Sequence, residues 1–120
     1  MEQFIVVSVH HTIRDHEHIT LWRPDDRGYT PVVPRAGLYS REQVTAHLDY
    51  YNNGDNVAVP VSVIEGLSVE VKKGFYDEGG PAVPNTRKSW NAIRAAMQWP
   101  TKYPVKPECK RGRPSTRVTA

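Results

Sequence analysis

The sequence contains a single cysteine and no long apolar segment, and these two scarcities exclude several classes of protein. Cys109 alone can form neither an intramolecular disulfide nor a cysteine-based zinc site. No apolar run approaches the ~20 residues that a helix needs to cross a bilayer. The N-terminus carries Glu2 ahead of a short apolar stretch and has no small-residue cleavage pattern, so no signal peptide is predicted. We expect a cytoplasmic protein.

The motifs of the common enzyme classes are missing as well. The chain has no Gly-x-Ser-x-Gly nucleophile motif, no glycine-rich phosphate-binding loop and no cysteine before position 109. His47 falls on the apolar side of a predicted helix, where a core histidine bonded to the backbone explains it better than a ligand or a base. We therefore predict a non-enzymatic protein without a cofactor, with metal-dependent chemistry at a histidine cluster as the alternative.

Four of the five histidines form that cluster: His10, His11, His16 and His18. Residues 4–11 and 18–22 have strand character and flank a polar turn, so they are predicted to pair as an antiparallel hairpin. A turn centred on Arg14 and Asp15 would place His11 opposite His18, and His16, Asp15 or Glu17 could then supply a third metal ligand. Solvated histidines at the mouth of a hairpin are the simpler interpretation, and no metal is predicted.

The apolar patterning predicts the strands of an α+β domain. Residues 4–9 are apolar on both alternating faces, which is typical of a central strand. Short strands are predicted at 57–59 and 67–71, and Pro60 makes the first of them an edge strand or the entry to a turn, because proline lacks the amide that a ladder needs. We expect a small antiparallel sheet, formed by the N-terminal hairpin and these short strands, within residues 1–100.

Two helices are predicted to pack with this sheet. The first begins at Ser40, which forms a capping box with Gln43, and ends at the Asn-Asn-Gly sequence of residues 52–54. The second runs over residues 86–98, with Asn85 or Thr86 as its cap. The second helix is amphipathic. Its apolar stripe consists of Trp90, Ile93 and Met97, and its polar stripe includes Arg87 and Arg94.

Positive charge is concentrated at the C-terminus. Residues 102–120 contain six basic residues and one acid, whereas residues 1–101 contain ten basic and twelve acidic residues. A basic tail on a mildly acidic body indicates contact with a polyanion, and a solubilising terminus is the alternative. We divide the chain into a domain at 1–100 and an extended, basic, proline-rich tail at 101–120, which is expected to be mobile from Lys102 onwards.

One short element of the tail has a specific pattern. Lys110-Arg111-Gly112-Arg113-Pro114 resembles the core of an AT-hook, although Ser115 and Thr116 stand where such hooks carry further basic residues. Glycine lets the backbone approach the floor of the minor groove of A·T-rich DNA. The electrostatic potential is most negative there, so it attracts the two flanking arginines. The resemblance implies DNA binding through the tail.

Several segments of the body resemble small uncharacterised proteins of bacterial viruses and prophages. They are residues 20–29 (Thr-Leu-Trp-Arg-Pro-Asp-Asp-Arg-Gly-Tyr), 36–40 (Ala-Gly-Leu-Tyr-Ser), 50–52 (Tyr-Tyr-Asn) and 84–87 (Pro-Asn-Thr-Arg) together with Trp90. The resemblance covers most of residues 4–95. It implies an accessory viral protein of the host cytoplasm, and it lends a catalytic role to no residue.

Two functional hypotheses follow from these patterns. In the first, the chain is a non-enzymatic viral accessory protein that binds a host or viral macromolecule. The expected partner is a protein, and the binding could inhibit a host defence system. The alternative is a DNA-binding protein that acts through its basic tail. The candidate nucleic-acid-binding residues are Lys106, Lys110, Arg111, Arg113 and Arg117 in the tail, with Arg87 and Arg94 on the second helix.

Overall fold

The apolar run near the start of the chain forms the central strand of an antiparallel sheet. The computed structural model of this α+β protein describes residues 2–72 and 79–109. The central strand, β1 (Gln3–Ser8), pairs from Phe4 to Ser8 with the strand 56–60 on one side, and on its other side with two short strands, one after the other. These strands are β2 (Thr20–Trp22), β3 (Tyr29–Thr30, outside β2), β4 (Tyr39–Ser40) and β5 (Asn56–Pro60).

Both faces of the sheet are buried, which explains why β1 shows no polar alternation. Ile5 and Val7 point to one core together with Trp90. Phe4 and Val6 point to a second core on the opposite face. Because successive side chains of a strand alternate between faces, the two cores share the backbone of β1 but not its side chains.

Helices cover the two faces of the sheet. Four α-helices are present in the described residues, where two were predicted. The second face carries α1 (Arg41–Ala46) and α2 (Leu48–Tyr51), and the first carries α3 (Val61–Leu67) and α4 (Arg87–Ala95). No described helix combines the length and apolarity that a membrane crossing needs.

The first predicted helix is divided in two at His47. The Ser40 side chain accepts the backbone N–H of Gln43, which confirms the cap, but the Gln43 side chain donates to the hydroxyl of Tyr51 instead of returning to Ser40. His47 has φ −142° and ψ 57°, outside the helical region, and its side chain is exposed. The prediction of a buried core histidine is therefore wrong.

The second predicted helix is confirmed at its cap and core face. The Thr86 hydroxyl accepts the backbone N–H of Ser89, and Trp90 and Ile93 are fully buried. The helix ends at Ala95, three residues earlier than predicted, and Met97 follows it half-buried.

A small two-stranded sheet lies beside the main one. It pairs β6 (Val69–Val71) with β7 (Gly80–Ala82). The sequence predicted β6 within residues 67–71 but gave no strand at β7, where glycine and proline are depleted residue types for a strand.

The N-terminal hairpin has a different register from the predicted one. Val7 pairs with Leu21 and Ser8 with Thr20, and β1 ends at Ser8. The buried Thr12 ends the ladder there, because its hydroxyl donates to the Ser8 carbonyl (2.7 Å) and accepts the backbone N–H of Thr20 (2.9 Å). His11 therefore lies in a turn instead of facing His18 across two strands.

The first nine residues of the predicted tail lie against the body, unlike the free segment that we expected from Lys102. The backbone N–H of Tyr103 donates to the Asn53 carbonyl (2.8 Å), and Val105 and Cys109 pack against the first core. The Asn52 side chain also donates to the carbonyl of Trp99 (3.2 Å). Residues 101–109 form neither helix nor strand.

Candidate nucleic-acid interface

A basic groove of about 760 Å³ lies between helix α4 and the segment 105–109. Its helical wall carries Arg87, Asn91 and Arg94, which share one side of α4 because they are spaced four and three residues apart. Lys106 lies on the opposite wall, and Arg14 comes from the turn after β1. We call these four cations (Arg14, Arg87, Arg94 and Lys106) and the space between them the basic groove.

Arg14 reaches the groove because the buried side chain of Asn85 holds its turn against α4. The Asn85 amide donates to the backbone carbonyls of Ile13 (3.1 Å) and His16 (3.0 Å). Its oxygen accepts the indole N–H of Trp90 (2.7 Å). One side chain thus joins the turn that carries Arg14 to the helix that carries Arg87 and Arg94.

Lys106 reaches the groove because two hydrogen bonds fix the segment around it. The Arg94 guanidinium donates to the Val105 carbonyl (3.2 Å) and to the Asn91 side chain (3.2 Å). The Glu108 carboxylate accepts the backbone N–H of Arg14 (3.2 Å). Arg94 therefore both contributes charge and positions the wall opposite it.

The charge of the groove is not neutralised within the described part of the chain. Glu108 is the one acid among the lining residues, and no carboxylate of residues 2–72 or 79–109 lies within 4.0 Å of the four cationic groups. Four cations that have no carboxylate partner in the described residues, set against the single acid Glu108, attract anions to this concave space, and a groove focuses that field.

Among the described residues, the lining of the groove offers no open aromatic ring to a nucleic-acid base. Trp90 borders it but is only 1% exposed, and its indole N–H is already bonded to Asn85. Base stacking on an aromatic side chain needs an open ring face. The described side chains of the groove can therefore contact phosphate and sugar, and only their arginine guanidinium planes are able to stack on bases.

The structure brings together three of the candidate residues that the sequence singled out. Arg87, Arg94 and Lys106 line the same groove. Sequence analysis missed Arg14, because only the tertiary contacts of Asn85 place it there. The remaining candidates, Lys110, Arg111, Arg113 and Arg117, lie outside the described residues.

The histidines of the N-terminal cluster do not converge. His11 bonds through Nδ1 to the Ser8 hydroxyl (3.0 Å) and lies against the ring of Tyr29, while the Nδ1 atom of His16 faces the backbone N–H of Ile13. Burial lowers the pKa of His18, and the neighbouring Glu17 carboxylate offsets only part of that effect. Within the described ranges, no three His, Cys, Asp or Glu side chains are arranged to hold a metal.

Comparison of the chain with protein-family models, curated proteins and solved structures finds no significant match. No relative therefore lends a role to any residue of the basic groove. The resemblance to small proteins of bacterial viruses stays a prediction.

Proposed function

We propose that this protein is a non-enzymatic accessory protein of a bacterial virus that binds nucleic acid through the basic groove and the adjoining tail. The observation that carries the proposal is the meeting of Arg14, Arg87, Arg94 and Lys106 around one groove without a carboxylate partner in the described residues. Phosphate contacts supply most of the affinity in non-specific nucleic-acid binding, and arginine and lysine are the residues that make them.

The position of the groove along the chain favours a polymer over a small anion. Cys109 borders the groove, and the AT-hook-like element begins at the next residue. Arg111 follows Cys109 by two residues, so it lies within about 7 Å of it along the chain. A backbone held in the groove therefore passes within reach of further cations, which a single phosphate ion would not use.

Salt-dependent DNA binding tests the groove directly. We expect the full chain to bind short labelled duplexes at ~50 mM salt, and we expect Arg87→Gln to weaken binding several-fold and to flatten the dependence of log K on log salt by about 0.9. Lys88→Gln is the matched control, since Lys88 is an exposed cation on the same helix that does not line the groove. Absence of any binding at ~50 mM salt would overturn the proposal.

Two further variants separate the groove from the tail. A chain ending at Cys109 should keep weak, salt-dependent binding, because it retains all four groove cations. In the full chain, replacing Arg111 and Arg113 by alanine should weaken A·T-rich duplexes more than G·C-rich ones if the hook reads the minor groove. Equal loss on both duplexes would reduce the tail to a non-specific polycation.

The single cysteine reports occupancy of the groove without any mutation. Cys109 borders the groove and is partly accessible, so a bound duplex should slow its alkylation. If a duplex binds while the alkylation rate of Cys109 stays unchanged, the groove is not the site and the body has no part in the binding.

A further inference from the structure

A second, smaller cavity lies on the opposite face of the sheet from the basic groove. It has a volume of about 230 Å³ and borders the second core, through Trp22, whereas the groove borders the first core through Trp90. Its remaining lining comes from the turn after β2, from β3, from α2 and from the start of β5. We call it the aromatic cleft, and its lining residues are Trp22, Asp26, Gly28, Tyr29, Tyr50 and Asn56.

Three aromatic rings form the walls of the cleft. Trp22 and Tyr29 are directly opposite each other in the β2–β3 pair, so their side chains project from the same face. Tyr50 packs edge-on against Trp22, with ring centroids 5.2 Å apart. Tyr29 and Tyr50 remain 45% and 50% exposed. Two tyrosines are thus kept half in water beside a buried tryptophan, which leaves parts of their rings available to a ligand.

Asp26 supplies a negative charge at the edge of the cleft, and the fold holds it there. Its backbone N–H donates to the Tyr39 hydroxyl (3.1 Å), and its carboxylate accepts the Tyr51 hydroxyl (3.3 Å). Asp25 and Asp26 both have φ +59°, a left-handed conformation that is uncommon outside glycine and that aspartate and asparagine adopt more readily than other residues. Such conformations persist where the surroundings enforce them and are concentrated at functional sites.

Two details indicate that the cluster is incomplete as a piece of core. The indole N–H of Trp22 is buried without a hydrogen-bond partner in the described residues, although buried polar groups are paired as a rule. No described lysine or arginine lies within 4.0 Å of the Asp26 carboxylate. Of these two groups only the exposed Asp26 carboxylate can be paired by a cation, because the indole N–H is itself a hydrogen-bond donor.

We propose that the aromatic cleft binds an organic cation: the ammonium or guanidinium group of a basic side chain, or a free alkylammonium compound. Aromatic faces attract cations through their quadrupoles, and the Asp26 carboxylate at the edge of the cleft adds a Coulombic attraction. A volume of about 230 Å³ lies below the range of sites for drug-sized ligands, so it fits a head group and not a whole ligand of that kind. The proposal is independent of nucleic-acid binding.

The probes are a short peptide with one lysine, the same peptide with acetyl-lysine, and tetramethylammonium chloride, each added to the full chain. We expect the lysine peptide to shift the Trp22 indole N–H resonance in NMR titrations, and we expect the acetylated peptide, which lacks the charge, to leave it unchanged. Tighter binding of the peptide than of tetramethylammonium assigns the cleft to protein side chains. Equal binding assigns it to free ammonium compounds, and failure of both probes overturns the proposal.

Matched variants test each wall of the cleft. Asp26→Asn removes the charge while keeping an acceptor for Tyr51, and it should weaken the lysine peptide about two- to five-fold or more. Asp25→Asn is its control, because Asp25 has the same backbone conformation but does not line the cleft. Tyr50→Leu should weaken binding and Tyr50→Phe should preserve it. Equal binding by all four variants, each checked for a native thermal transition, would contradict the cation site.

Discussion

Replacing Asn85 by aspartate tests how the basic groove is assembled. Asn85 is 2% exposed, and its amide donates to two carbonyls of the turn that carries Arg14 while its oxygen accepts the indole N–H of Trp90. Asn85→Asp preserves shape and keeps the acceptor for Trp90. It replaces both donated hydrogen bonds by a carboxylate oxygen that faces two carbonyl oxygens.

The expected loss of stability at pH 7 is about 3–5 kcal/mol. The two lost hydrogen bonds account for roughly 1 kcal/mol each. Placing an unpaired carboxylate where the amide donor was adds a desolvation penalty at least as large as that loss. Small domains have about 5–15 kcal/mol in total, so the variant should still fold at 25 °C. Losing the turn should also move Arg14 and weaken DNA binding.

The loss should depend on pH in a defined direction. Burial beside carbonyls raises the pKa of the new carboxyl group in the folded state above its ordinary ~3.9, because the neutral form can still donate one hydrogen bond. Protonation therefore favours the folded state, so the deficit relative to the native chain is smallest below about pH 4 and grows as the pH rises through the folded-state pKa.

Urea titrations at pH 4 and pH 7, followed by tryptophan fluorescence, measure this difference. Each variant is compared with the native chain at the same pH, and Asn85→Ala is the control whose deficit should not change with pH. A deficit for Asn85→Asp that is equal at both pH values would refute the assignment of Asn85 as a double donor. A deficit below about 1 kcal/mol would show that the turn is held by other contacts.

Two other predictions concern the attachment of residues 101–109 and the turn beside the aromatic cleft. Gly54→Ala should destabilise the chain by more than about 1 kcal/mol in denaturant titrations. Gly54 has φ +113°, and a Cβ at this position would clash with the Tyr103 carbonyl oxygen. Gly66→Ala is the control and should cause no such loss, because its Cβ would meet nothing within 4 Å. Burial raises the pKa of Tyr39 to about 12, so the stabilising effect of its hydroxyl is present below pH 10 and is lost towards pH 12. The difference in melting temperature between the native chain and Tyr39→Phe should therefore shrink from pH 10 to pH 12. A constant difference would contradict this.

The elements that the sequence predicted well are those determined by local chemistry. An apolar run without alternation predicted β1 as a central strand, and the caps at Ser40 and Thr86 are contacts within four residues of the chain. The stripe of Trp90 and Ile93 follows from the helical period alone. None of these predictions needed knowledge of a distant partner.

The predictions that failed depended on side-chain contacts between residues eight positions apart in the sequence. The register of the hairpin is set by the Thr12 hydroxyl, and one residue of slip separates the observed pairing from the one that would join His11 to His18. The predicted helix breaks at His47. The Gln43 side chain, which a capping box would turn back to the helix start, donates instead to the Tyr51 hydroxyl. Periodicity cannot reveal either contact.

The candidate site shows the same division. The helical period placed Arg87 and Arg94 on one side of α4, and composition marked Lys106 as part of a basic segment. Their meeting with Arg14 depends on Asn85, which the sequence offered only as a possible helix cap. A buried asparagine that bridges two segments has no signal in a single sequence, because its donors and acceptors are indistinguishable from those of a turn residue.

The basic groove and the aromatic cleft share no residue and lie on opposite faces of one sheet, so each supplies the other's control. Arg87→Gln should weaken DNA binding and leave lysine-peptide binding unchanged. Asp26→Asn should weaken lysine-peptide binding and leave DNA binding unchanged. Loss of both activities in one variant would indicate damage to the common sheet and not to a site. The proposed ligands have opposite charges. If net charge alone mattered, any substitution that lowers the positive charge of the chain would weaken DNA binding and strengthen lysine-peptide binding, wherever the residue lies. Effects confined to lining residues, with Lys88→Gln and Asp25→Asn near neutral, therefore separate binding at a site from the general electrostatics of the chain.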